Sequence, residues 1–88
     1  MIYCISYDLN SPGQDYPSLY DTIKTFGDWI HPVDSTWFVN SSLSAKEIRD
    51  SLRTVTDDTD AVIITTASAP GAWFGLSDGA TIWLKERL

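Results

Sequence analysis

The spacing of apolar residues switches back and forth between a period of two and a period near 3.6 along residues 1–66, and that order admits few folds. The opening stretch "IYCISYD" alternates, with Ile2, Cys4, Ser6 and Asp8 on one side and Tyr3, Ile5 and Tyr7 on the other. Both sides begin apolar, which predicts a central strand over residues 2–8. In residues 15–26 the apolar positions Tyr16, Leu19, Tyr20, Ile23 and Phe26 fall at helical spacing. Pro17 fits in the first turn, Asp15 can cap, and Gly27 is placed to stop the helix in the left-handed conformation. Residues 29–33 read as a short strand that Pro32 confines to an edge or a bulge. Residues 35–40 read as a third strand, with "VDST" as a tight hairpin between the two.

The clearest local signal is "LSAKEI". Ser44 at the N-cap and Glu47 three residues on make a capping box, with Leu43 and Ile48 at staple positions. That predicts a helix over residues 44–55. The acidic turn "TDDTD" follows, then "AVIITT", a β-branched fourth strand over residues 61–66. The order β-α-β-β-α-β predicts an α+β, ferredoxin-like domain: a four-stranded antiparallel sheet with two helices on one face. Residues 1–66 form the core of this single domain. Residues 67–88 form an extension, the irregular "ASAPGAWFG" and then a short helix in "SDGATIWLKERL". Ser77 and Asp78 suit its start, and Lys85 and Arg87 its end. This arrangement hosts many functions and selects none.

A chain of 88 residues buries only roughly 60% of its unfolded surface, near the lower limit for a lone core. Aromatic residues make up 12% of it, among them Trp29, Trp37, Trp73 and Trp83. They serve a small core, and they also serve interfaces. Cys4 is the only cysteine, so no internal disulfide forms, which suits a reducing cytoplasm. Neither a signal peptide nor a membrane-spanning run is visible. The net charge of -6 and pI near 4.3 argue against general affinity for nucleic acid, which needs cations to displace counterions. Lys46, Arg49 and Arg53 share one helix face, a small basic patch.

The stretches "MIYCISYDLN" and "STWFVNSSLSAKEI" resemble a known group of small proteins. They are similar to the nuclease-like small subunit of the CRISPR spacer-integration complex, to the VapD ribonucleases and, over the whole chain most of all, to the SinR-like proteins. The likeness covers residues 1–66 in order and approximate spacing. It implies a symmetric homodimer in which the first-strand aspartates, here Asp8, face each other and hold one Mg²⁺ or Mn²⁺. Where the CRISPR family often carries basic residues after that aspartate, this chain has Asn10, Ser11, Pro12 and Gly13. Its first cation is Lys24.

Each candidate residue has a functional and an ordinary reading. Asp8, doubled by symmetry, would supply hard oxygen ligands; alone, it would cap the following loop. His31 titrates near neutrality and would act as a general base beside Asp8, with Ser35 positioning phosphate; both equally suit the polar face of an edge strand. Tyr7 is a core residue or a stacking group. Trp37 and Phe38 point to opposite faces, so one of them needs cover from the extension, a second copy or a ligand. Two classes of function follow. One is a metal-dependent endonuclease, with Asp8, His31 and Ser35 as catalytic residues. The other is a non-catalytic acidic dimer that binds a protein partner in a toxin-antitoxin, CRISPR-related or phage-defence system.

Overall fold

The computed structural model describes residues 1–10 and 16–88. The loop expected around residues 10–14 and the cap expected at Asp15 fall largely or wholly outside them. Strand β1 is Ile2–Asp8, helix α1 Tyr16–Lys24, strand β2 Asp28–Val33, strand β3 Thr36–Asn40, helix α2 Ala45–Arg53, strand β4 Ala61–Thr66 and helix α3 Asp78–Arg87. The four strands lie in the order β2-β3-β1-β4, every neighbour antiparallel. The protein is thus a small α+β unit with a four-stranded antiparallel sheet and three helices.

The period of two in β1 determines which side chains form the core. Tyr3, Ile5 and Tyr7 are buried, while Cys4 and Ser6 on the other side are half-buried. Across the ladder Tyr3 lies opposite Val39 and Ile5 opposite Trp37, so β1 and β3 give one apolar face. Leu19 and Ile23 from α1, Phe26 from the turn after it, and Ile48 and Leu52 from α2 close over it. Each fully buried aliphatic side chain in this cluster contributes about 1.5–3 kcal/mol.

The opposite face is covered in part by the extension. Helix α3 buries Ala80, Trp83 and Leu84. Phe38, on the far side of β3 from Trp37, lines a mainly apolar groove with Val33, Trp73, Leu76, Leu84 and Leu88. Arg87 fastens the helix to β2 through Asp28 at 2.7 Å and lies over the Trp83 ring, 4.5 Å from its centroid. Of the two adjacent aromatics, then, Trp37 is in the main core and Phe38 sits beneath the protein's own carboxyl-terminal segment.

Several boundaries differ from the sequence expectation, each for a local reason. Helix α1 ends at Lys24, earlier than residue 26, and Phe26 packs into the core from the turn beyond it. Gly27 is not a left-handed helix stop. Its φ is 151°, and a β-carbon there would collide with the Asn40 carbonyl, so glycine is required by the close approach of the β3 end. Ser35 belongs to the turn, because Val33 pairs with Thr36 and leaves Asp34 and Ser35 as the two loop residues. The bulge expected from Pro32 lies between Ile30 and Val33.

Helix α2 starts where the capping box places it. The Glu47 amide donates to Ser44 Oγ at 3.1 Å, and the Ser44 amide donates to Glu47 Oε1 at 3.0 Å. The Ser44→Ala variant will be less stable by about 1 kcal/mol, since one amide of the first turn loses its acceptor. Urea titration measures this, and an unchanged midpoint would remove the cap from the account.

Candidate functional site

The alternation in β1 carries Asp8 to the end of the central strand, on the face that bears Cys4 and Ser6. Its side chain is exposed. The strand end is tied to the turn before β4 through Asn10. The Asn10 amide nitrogen donates to Asp60 Oδ1 at 2.8 Å, and its side chain donates to the Thr59 carbonyl at 2.9 Å and the Asp8 carbonyl at 3.4 Å. Asp60 also accepts from the Asp57 amide at 2.8 Å, which organises that acidic turn. Among the described residues no three His, Cys, Asp or Glu side chains gather into a metal-binding group. Mg²⁺ is held through carboxylates with near-octahedral oxygen coordination, so the single Asp8 of one protomer does not fit a resident ion.

His31 and Ser35 lie around the β2–β3 hairpin. Ser35 is beside the end of β1, because the Tyr7 amide donates to its carbonyl at 3.1 Å. His31 Nε2 donates to the Asp34 carbonyl at 2.9 Å. The imidazole stacks on Trp37, with centroids 4.1 Å apart and planes within 11°, and Tyr20 meets it edge-on at 5.1 Å. Trp37 belongs to the face covered by α1 and α2. The structure therefore brings Ser35 and Asp8 to one end of the sheet, but puts His31 and Asp8 on opposite faces.

Tyr7 is the residue whose role the sequence left most open. Its hydroxyl donates to the Asp34 carbonyl at 3.1 Å and accepts from Trp37 Nε1 at 3.1 Å. Burial pushes its phenol up to about 12, against an ordinary value of 10.0; the Trp37 hydrogen bond acts in the opposite sense. Tyr7 and His31 thus converge on one turn carbonyl, Trp37 is linked to it through the Tyr7 hydroxyl, and the rings of Tyr16, Tyr20 and Trp29 extend the cluster outward. Lys24 lies over Trp29 at 5.1 Å. No sequence signal marked Asp34 as the acceptor, since the group used is its backbone carbonyl. In the basic patch, Lys46 and Arg49 both bond to Asp50, at 2.8 and 3.0 Å. Burial pushes the Cys4 thiol up, away from the reactive thiolate.

No protein-family model matches the chain, and no curated protein matches it. The crystal structure of a hypothetical protein from Thermus thermophilus resembles it with a TM-score of 0.65 at 19% identity, covering 84% of this chain and 89% of the other. That likeness concerns the fold alone. No helix among the described residues is long and apolar enough to cross a membrane.

The Tyr7→Phe variant tests the shared turn. It leaves Trp37 Nε1 buried without its acceptor, a loss of about 1–3 kcal/mol. The pH dependence has a definite sign. A phenol raised from 10.0 to about 12 contributes stability that is full below pH 10 and is lost as the pH rises towards 12. Urea midpoints between pH 9 and pH 12 will fall more steeply in the parent than in the variant; equal slopes would contradict the burial of this hydroxyl.

Proposed function

We propose that this chain is a non-catalytic, acidic, dimeric protein that binds a protein partner. The observation that carries the reading is the placement of Asp8 and His31 on opposite faces of one sheet. A general base acts within hydrogen-bond reach of the group it deprotonates, directly or through one water, and the sheet stands between these two. His31 is moreover engaged by a turn carbonyl and held between rings, the environment of a packing residue. The net charge of -6 adds to this, since a phosphate-binding surface needs cations, and two of the three in the basic patch already pair with Asp50.

The strand order, with α1 and α2 on one face, supports a ferredoxin-like description of the domain. The resemblance of the first strand to CRISPR-associated, VapD and SinR-like proteins supports a defence or toxin-antitoxin setting for the partner. The lone Cys4 suits the cytoplasm.

One observation favours a nuclease: Asp8 is exposed at the end of the central strand, and Ser35 lies at that same end of the sheet, its carbonyl bonded by the Tyr7 amide. In that reading two copies of Asp8 would hold Mg²⁺ or Mn²⁺ between them, and the ion would supply charge stabilisation at phosphate. The two readings part in a single assay. Labelled single-stranded RNA and duplex DNA are incubated with each ion and either the parent protein or a folded Asp8→Ala variant. The binding-module reading expects no metal-dependent cleavage and no heat of Mg²⁺ or Mn²⁺ binding in calorimetry. Cleavage by the parent that the variant lacks would replace it with the nuclease.

A further inference from the structure

Among the described residues the most exposed large apolar side chain is Phe74, at 96%. Its neighbours are placed differently. Trp73 and Leu76 are half-buried, and both line the apolar groove under the carboxyl-terminal segment. Phe74 therefore points away from the groove that its own neighbours wall. Gly75 holds that presentation. Its φ is 81°, a conformation open to glycine and strained for other residues, so the chain turns directly after the ring. A lone exposed apolar residue is ordinary on a protein surface. This one adjoins an open apolar groove, and together they form one continuous apolar patch of the kind that marks a contact.

The groove has the size of a socket for such a ring. Its walls include Val33, Phe38, Trp73, Leu76, Leu84 and Leu88, and its volume is about 360 Å³. An apolar cavity of about 150 Å³ already accepts benzene. Val33 on its wall is 51% exposed, so the socket is open to a group from outside. The depression on the side of Phe74 itself is no equivalent, because Thr81 and Lys85 line it with a hydroxyl and an ammonium.

Knob and socket share one segment, residues 71–76, in every copy of the chain. A two-fold axis beside that segment brings the Phe74 of each copy to the groove of the other, so one symmetric contact uses both features twice. A foreign partner would have to bring a matching knob and socket of its own. The areas fit a dimer of modest strength. A phenylalanine buries roughly 200 Å², and a similar area of groove wall is covered with it. Two exchanges bury about 800 Å² in total, to which the facing segments add, against about 1,200 Å² at the lower bound of standard interfaces. Charge gives no help, since each copy carries -6.

We propose that two copies of this chain associate about a two-fold axis by exchanging Phe74, the ring of each entering the groove walled by Val33, Phe38 and Trp73 of the other. This deepens the dimeric part of the reading given above and rests on it. The centre of the contact is apolar, so salt that screens the repulsion between two acidic copies strengthens it. The carboxyl-terminal segment then has a second task besides covering Phe38, because it carries the knob and part of the socket.

Two variants test the exchange. Phe74→Ser removes the knob and leaves the fold alone, since the ring is 96% exposed in its own chain. Val33→Lys puts an ammonium into the socket. It also lowers the negative charge, so repulsion between copies does not account for a loss of the dimer. Light scattering at high micromolar concentration in physiological salt is expected to give twice 9.8 kDa for the parent and 9.8 kDa for each variant. A parent dimer that persists in Phe74→Ser overturns the exchange and leaves the dimeric reading standing. A dimer that Phe74→Ser dissociates and a folded Val33→Lys does not overturns the groove as the receptor. A parent of 9.8 kDa overturns the exchange and the dimer together, and leaves partner binding standing. Co-sedimentation of that monomer with phosphatidylcholine vesicles, absent in Phe74→Ser, would give the ring to a lipid surface instead. If Val33→Lys fails to fold, isotope-filtered NMR on mixed labelled and unlabelled parent decides. Contacts between the Phe74 ring of one copy and the Val33 methyls of the other support the exchange. Their absence in a sample of dimeric mass overturns it.

Discussion

Trp37 is 1% exposed, and its surroundings tie together parts of the chain far apart in sequence. Its indole N–H is satisfied by Tyr7 from the central strand, its face by His31 from the edge strand, and its flank by Tyr20 from the first helix. A buried indole donor left without an acceptor is costly, so the Tyr7 hydroxyl must be where it is. That hydroxyl in turn donates to the Asp34 carbonyl, which fixes the hairpin turn against the end of β1. The position of Ser35 against the end of β1 is thus a consequence of core packing two residues away.

The same interaction fixes how the chain's one histidine is held. An imidazole stacked on a buried indole and bonded through Nε2 to a backbone carbonyl has its orientation imposed by packing.

Much of the fold was legible in the residues. The period of two in "IYCISYD", the capping box at Ser44 and the β-branched run "AVIITT" are local signals, and the structure has β1, the start of α2 and β4 at those positions. Pro32 correctly marked an edge strand with a bulge. What could not be read depended on contacts between segments. Alternation showed that Trp37 and Phe38 face opposite ways, but which of them is inside depends on where α1 and α3 dock. Gly27 was read as a local stop, whereas its reason lies in the distant Asn40 carbonyl. Candidate residues chosen by chemical type suffered most. A strand pattern assigns faces only within an unbroken ladder, and the bulge in β2 breaks that count just where His31 stands.

Among the described residues the two edges of the sheet are unlike: β2 carries a proline and a bulge, and β4 carries neither. Pro32 and the adjacent bulge therefore set a limit to the sheet on the β2 side, where a further strand would meet a missing N–H and a broken ladder.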